Sequence, residues 1–357
     1  MASNIRLRDR DAIETAVGLI FRVFGYSHPP DAYICDAEYA SAEIFTSTDP
    51  RAPRTGKEQV FYKFYNDEGM KLVAKKYPQY LVFHEMLGLN LVGVKNNAIK
   101  EARKPEKRLE KLLRAGPTDE LLAAMERVLD MAIDNSGLTK LNFGVFGSML
   151  HGFYHPKFSD IDLIVYGKKE NATTRKTLQA LYADRQSGLR NEFESDQAMA
   201  GKDWRFKNFT AKDFVWHQRR KQIYGLYDDK ASGRTIKTEF EPVKAWREIK
   251  SEYDHETRIK QKGWVKLKAK VTGDDEAPFI PSIYGIEPLE VYSGAKEAIE
   301  AKRVCSFMEE FRQQAQKDEE VIVEGNLEEV VSPTTRFLQV ALTYCLRYYD
   351  QVLKVLR

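Results

Sequence analysis

The sequence predicts an α+β protein: a mixed sheet with helices packed on it in the middle of the chain, flanked by β-rich N- and C-terminal modules. Three observations predict it. Residues 143–167 read as a strand, a glycine turn, a short helix and an apolar strand. Helical periodicity brackets that stretch on both sides, and both ends of the chain carry period-two alternation. At 357 residues the chain exceeds one ordinary compact domain. The expected modules are 1–95, β-rich; 96–260, central, with a basic helical lead-in; and 261–357, β-rich and ending in a helix.

The elements follow in order. "GLIFRVFGY" (Gly18–Tyr26) and "AYICDAEYA" (Ala32–Ala40) read as strands around the turn residues His28, Pro29, Pro30 and Asp31. "EQVFYKFY" (Glu58–Tyr65) and "QYLVFHE" (Gln79–Glu85) read as two more, with a short helix between them near Gly69–Lys76. Pro105 and Gly116-Pro117 bracket a helix in the charged stretch that follows. The next helix has Thr118 as its N-cap, Asp119 and Glu120 in its first turn, and Gly137 as its stop. Leu121, Leu122, Met125, Val128, Leu129, Ala132 and Ile133 keep its helical spacing. "TKLNFGVFGS" then reads as a strand entering a tight turn. Further helices are expected in Thr174–Arg185 and Phe209–Tyr227, then the turn "DDKASGR" and the strand "TIKTEFEPVKAW". From about Lys262 the alternation returns, most regularly over Trp264–Val271. "PFIPSIYGIEPLEV" and "EEVIVEGNLEEVV" add strands, and a helix near Pro333–Val352 closes the chain.

Composition excludes several classes. Hydrophobic residues are 43% and charged residues 31%, the balance of a soluble folded protein. Apolar runs such as Leu19–Phe21 and Leu163–Tyr166 fall far short of the ~20 residues a membrane helix needs, so no membrane association is expected. "MASNIRLRDRD" has no apolar core, so no secretory signal is expected. Cys35, Cys305 and Cys345 are far apart and have no metal-ligand spacing, which points to a reducing, cytoplasmic setting. Net charge is +3, unevenly spread: Lys95–Arg114 holds eight basic and three acidic residues, and "HQRRK" (His217–Lys221) is a second basic knot. Each reads either as a solvated helix face or as a surface facing phosphates.

The chemistry concentrates in "FGVFGSMLHGFYHPKFSDIDLIVYG" (Phe143–Gly167). On a strand, Asp160 and Asp162 share one face while Ile161 and Leu163 share the other. Two carboxylates side by side repel unless a cation offsets them. Mg²⁺ fits best, a hard ion that takes oxygen ligands and bridges carboxylates to phosphates. Gly147 lets the backbone approach a ligand closely, and the turn's N–H groups with the Ser148 hydroxyl can hold a polyphosphate. Together these parts make a nucleoside triphosphate site. His151 and His155, four apart, could suggest a metal pair but lack a nearby third ligand. "DWRFKNF" (Asp203–Phe209) interleaves basic and aromatic residues, which either pack a connection or stack bases. Tyr224 and Tyr227 are core or nucleoside-stacking candidates.

The stretch resembles the nucleotidyltransferases of the DNA polymerase beta superfamily, whose pattern is Gly-Ser, a gap, then Asp-x-Asp in an apolar strand. Gly147, Ser148, Asp160 and Asp162 match it. Gly152 and Ser159 match the longer form found in archaeal CCA-adding enzymes and small antibiotic nucleotidyltransferases. This resemblance covers about Thr118–Glu241. The whole chain also looks like an uncharacterised archaeal group of such proteins, through "GLIFRVFGYSHPPDAYICDAEYA" and "VEGNLEEV".

The resemblance implies a third carboxylate on a later strand, here Glu239 or Glu241 of "TIKTEFEPVK", with Glu239 favoured because Pro242 follows Glu241. It implies two Mg²⁺ ions (Mn²⁺ also serves) on Asp160, Asp162 and Glu239, and an NTP as substrate. Ser148 and its turn would hold the β- and γ-phosphates, assisted by Arg219, Arg220 or Lys221. The expected activity is untemplated addition of NMP, from ATP or another NTP, to the 3′ end of an RNA such as tRNA. The alternatives are nucleotidylylation of a protein or small-molecule hydroxyl, and a nucleic-acid-binding protein without catalysis.

Overall fold

The structure is a computed structural model that describes residues 5–56, 59–201 and 203–357. The chain divides into two compact units. The first comprises Met1–His84, Asn90–Arg190 and Ile223–Glu252; the second comprises Glu85–Leu89, Asn191–Gln222 and Tyr253–Arg357. This division differs from the three consecutive modules read from the sequence. Leu150 and Phe153 of the central segment share a core with Ile20, Tyr39 and Phe61 of the N-terminal strands, which makes one unit of both. Residues 191–222 fall in the second unit because Phe206 and Phe209 join its core.

The N-terminal part of the first unit is built from β1 (Ala12–Thr15), β2 (Leu19–Val23), β3 (Ala32–Ser41), β4 (Pro53–Thr55), β5 (Val60–Lys63), α1 (Glu68–Lys76), β6 (Leu81–His84), β7 (Leu89–Lys95) and β8 (Ile99–Arg103). Its sheet runs β4-β5-β3-β2-β1-β8, with β7 on β3 and β6 on β7. Glu58, the expected start of the third strand, lies outside the described residues. The charged lead-in to the central segment holds β8 before its helix, a strand the charge pattern does not announce.

The central segment continues with α2 (Pro105–Ala115), α3 (Glu120–Ser136), β9 (Phe143–Val145), α4 (Gly147–His151), β10 (Ile161–Tyr166), α5 (Lys168–Ala183) and β11 (Leu189–Asn191). Pro105 opens α2, where its missing N–H costs nothing. Asp119, not Thr118, caps α3: its carboxylate accepts from the N–H groups of Leu121 and Leu122, both at 3.0 Å. Gly137 ends α3 in the left-handed conformation, as expected.

α6 (Ala211–Lys221), β12 (Tyr224–Asp229) and β13 (Arg234–Val243) follow. The expected helix over Phe209–Tyr227 stops at Lys221 because Gln222 turns left-handed, and its last residues become β12. The second sheet runs β11-β12-β13-β10-β9. β10 and β13 are parallel; β9 and β12 flank them antiparallel. Ile161, Leu163, Val165, Ile236 and Phe240 pack with residues of α3 and α5, which covers one sheet face. The other face carries the carboxylates.

The second unit is dominated by β14 (Arg258–Glu276), β15 (Ser282–Ser293), β16 (Ala301–Ser306), β17 (Glu320–Val331), β18 (Arg336–Leu342) and β19 (Val352–Val355). The order β14-β15-β16-β18-β17 closes on itself through β14–β17 pairing, and β19 extends β17. β16 and β18 run parallel; all other neighbours are antiparallel. This is the strand order of the five-stranded OB-fold barrel. Alternate residues Val265, Leu267, Ala269 and Val271 point inward. The helix expected near Pro333–Val352 is instead β18, a short 3₁₀ turn and β19. The near-continuous apolar run Leu338–Leu342 is buried, and such a run reads alike as helix or strand. Among the described residues, no helix is long and apolar enough to cross a membrane.

Candidate active site

Gly147 sits at φ +58, a conformation that disfavours any Cβ. A Cβ there would collide with Oδ2 of Asp162, so the turn and the carboxylate lie against each other. The Phe146 N–H donates to the Asp162 carbonyl at 3.1 Å, which fixes the turn to the start of β10. Ser148, next in line, is half-buried at the first turn of α4. Gly152 ends α4 at φ +73. The loop back to β10 is also pinned. Arg234, at the head of β13, donates to the carbonyls of Pro156 (2.9 Å) and Ser159 (2.6 Å). The Ser159 hydroxyl accepts from the His155 N–H at 2.8 Å. Asp160 follows immediately and is exposed; Asp162 is half-buried.

The parallel register places Asp162 directly beside Glu239, and Ile164 beside Glu241. Both glutamates lie on the carboxylate face, but they differ in partner. Glu241 is buried and takes the guanidinium of Arg10, also buried, at 2.9 Å. Glu239 is partly exposed, and its near cation is Lys237 at 3.3 Å. Burial, then the neighbouring carboxylates of Glu239 and Asp160, push the Asp162 carboxyl well above the usual range; Lys63 and Lys237 pull it the other way. The structure thus gathers Asp160, Asp162 and Glu239 around one turn.

Other expected residues stand as follows. Arg219, Arg220 and Lys221 belong to the second unit. There the Arg219 guanidinium donates to the Glu194 carbonyl, Arg220 pairs with Glu319, and buried Lys221 donates to the Glu310 carbonyl at 2.7 Å. His151 is buried, with Arg103 at 3.0 Å from its Nδ1, while His155 is exposed, so the two are not a metal pair. Phe206 and Phe209 of "DWRFKNF" are core residues. Tyr227 packs in the core of the first unit, whereas Tyr224 pairs in register with Glu239, on the carboxylate face. Much of the basic charge of Lys95–Arg114 is internally matched: Arg103 to Glu14, Lys104 to Asp11, Lys107 and Arg114 to Glu110.

Sequence reasoning missed Lys63, on β5, Arg10, in the turn before β1, and the loop anchor Arg234. No local pattern marks them.

The donor set bears on metal binding. Three carboxylates converge with incomplete neutralisation, and every donor is oxygen, which suits a hard divalent cation. Among the described residues, no group of three His, Cys, Asp or Glu side chains is placed to hold a metal ion by itself. Mg²⁺ does not require such a group, since it takes one or two carboxylates and completes its shell with water and phosphate oxygens.

Comparison with known proteins gives two matches. Residues 126–251 match the model of the nucleotidyltransferase domain. The whole chain is similar to the uncharacterized protein MJ1086 of Methanocaldococcus jannaschii, 25% identical over 357 residues, covering 99% of this chain and 100% of that one. No solved structure matches significantly. Residues 126–251, which hold the Gly147 turn and all three carboxylates, are therefore a nucleotidyltransferase domain of the polymerase beta superfamily, the fold that moves a nucleotidyl group from a nucleoside triphosphate.

Proposed function

We propose that this protein transfers NMP from an NTP to the 3′ hydroxyl of an RNA without a template, releasing pyrophosphate. The observation that carries the site is the register of Asp162 beside Glu239, with the Gly147 backbone against the Asp162 carboxylate. Asp160, Asp162 and Glu239 would hold two Mg²⁺ ions. Bound there, the ions lower the pKa of the acceptor hydroxyl and offset charge on the leaving group. The Gly147–Ser148 turn receives the triphosphate and sets its α-phosphorus in front of the carboxylates. The acceptor oxygen bonds to that phosphorus as the bond to the pyrophosphate oxygen breaks, with loss of one proton. Tyr224, beside Glu239, offers a ring for the nucleoside.

RNA as acceptor is supported by the second unit. Its barrel has the strand order of a scaffold that binds oligonucleotides. Its surface pairs cations with aromatic rings. The Arg347 guanidinium lies 3.8 Å from the Trp264 ring, and Tyr344, stacked on Tyr348 at 5.3 Å, is exposed. Cys35, Cys305 and Cys345, none of them in a disulfide, suit a reducing, cytoplasmic setting. A second reading, modification of a protein or small-molecule hydroxyl, is favoured by one finding. Both basic segments spend charge on internal partners and so offer less to an RNA backbone.

The test is incubation with each α-³²P-labelled NTP, Mg²⁺ and total small RNA, followed by a denaturing gel. Lengthened RNA is expected. Label on the protein, or on no macromolecule, overturns the RNA acceptor and favours the second reading.

A further inference from the structure

We propose that Lys63, on the N-terminal sheet, binds the β- or γ-phosphate of the NTP. The inference rests on the reading of the carboxylate site as a triphosphate site, and it adds a residue outside the matched stretch 126–251.

The geometry comes from β5. Phe61 and Lys63 are two apart and so share one face of the strand. The Phe61 ring stacks on Phe153 at 4.6 Å and 25°. Phe153 lies just beyond α4, whose first residues are Gly147 and Ser148. Tyr39 faces Lys63 across the β3–β5 ladder. Its ring makes edge contacts with Phe153 (5.7 Å) and His151 (5.2 Å). One face of the N-terminal sheet therefore lies against the helix that opens at the phosphate turn, and Lys63 stands on that face. Tyr39 is buried, so it is a fixed wall, while half-buried Lys63 has a long stem to move on.

Electrostatics agree with this placement. Lys63 and Lys237 are the two lysines whose charge acts on the Asp162 carboxylate, which agrees with the strand geometry. Of the two, Lys237 is ion-paired with Glu239. Among the described residues, Lys63 makes no ion pair at contact distance; its ammonium lies 5.9 Å from the Tyr65 ring centre. A triphosphate approaching three carboxylates meets repulsion on its distal phosphates. A mobile ammonium beside the turn offsets that, acting as a point charge as lysine does at phosphates. The N-terminal sheet then has a chemical reason to share a core with α4.

The test is calorimetric titration of the full-length protein, with Mg²⁺, by each of ATP, CTP, GTP and UTP and by the four monophosphates. The wild type is expected to prefer at least one triphosphate to its monophosphate. In Lys63→Gln that triphosphate should bind about tenfold or more weakly, the monophosphate less than about twofold, and Lys63→Arg should restore most of the preference. Equal weakening of both nucleotides, or none, would overturn the role of Lys63 and leave it a counter-charge for Asp162. Absence of triphosphate binding in the wild type would overturn the triphosphate reading together with it.

Discussion

Two strand pairs in this molecule carry charge on one face, and they handle it in opposite ways. On the barrel, β14 presents lysines and β17 with its approach presents acids. Lys266 meets Glu324 at 3.4 Å, Lys268 meets Glu320 at 2.7 Å, and Lys270 meets Asp318 at 3.0 Å. In the nucleotidyltransferase domain, β10 presents Asp162 and β13 presents Glu239 directly beside it. Opposite charges across strands stabilise a sheet modestly, and like charges destabilise it. The barrel face is therefore charge-matched pair by pair, whereas the β10–β13 face sets two carboxylates side by side with Lys237 and Lys63 as their near cations. Nothing in the fold requires that cost, since the same sheet buries Glu241 against Arg10 two residues further on.

The largest break in this comparison removes the like charges. Asp160→Ala with Asp162→Ala should abolish transfer while circular dichroism and gel filtration stay as in the wild type. Loss of several kcal/mol of transition-state stabilisation is a fall of about a thousandfold or more. Retention of normal transfer would relocate the site. Next comes the buried pair. Glu241→Ala leaves Arg10 buried without its carboxylate and should cost about 3–5 kcal/mol in urea unfolding. A change near zero would mean that Arg10 finds another partner.

Glycine substitutions sharpen the comparison. Gly147→Ala meets both the left-handed backbone and the Asp162 oxygen, and should cost ~1–2 kcal/mol of stability together with most of the activity. Gly137→Ala has the same backbone penalty but open space, and should leave activity near wild type.

The two units should also differ in acid. The raised Asp162 carboxyl keeps its proton in the folded state over a range where the unfolded chain has lost it. Stability therefore falls as pH rises from the unfolded value, ~4, through the folded one. Asp162→Asn should be more stable than the wild type at pH 7 in EDTA, and the gain should vanish below about pH 4. In the second unit, His217 is held neutral and its pKa falls to about 3, chiefly through burial. Its Nε2 accepts the Val355 N–H at 3.1 Å, and its Nδ1 lies 2.6 Å from the Asp213 carbonyl. That contribution is complete above ~6.5 and is lost as pH falls toward 3, the opposite slope. Thermal unfolding across pH 3–8 separates the two by comparing each variant, Asp162→Asn and His217→Gln, with the wild type. The smallest effect is on the barrel: Lys268→Ala should cost less than about 1 kcal/mol, as solvated ion pairs do.

Much of the site was readable because it is local. The alternation of β10 put Asp160 and Asp162 on one face, and the glycine of the turn announced itself thirteen residues before Asp160. The same alternation left Glu239 and Glu241 unresolved, since both fall on one face. The distinction is made by Arg10, which lies 231 residues from Glu241. Lys63 was invisible for the same reason. Closure of the barrel depends on β14 pairing with β17, a long-range contact that alternation cannot reveal. The last strands read as a helix because Leu338–Leu342 is apolar but for Gln339 and buried throughout, which removes the period that separates strand from helix.

The most direct measurement is pyrophosphate release from each NTP, with Mg²⁺ and total small RNA, by the wild type, Glu239→Gln and Glu241→Gln side by side. If Asp162 and Glu239 form the transfer site, wild type and Glu241→Gln release pyrophosphate from at least one NTP, assayed where Glu241→Gln is folded, and Glu239→Gln does not. Release by Glu239→Gln at the wild-type rate, or by none of the three proteins with any NTP, would contradict the account.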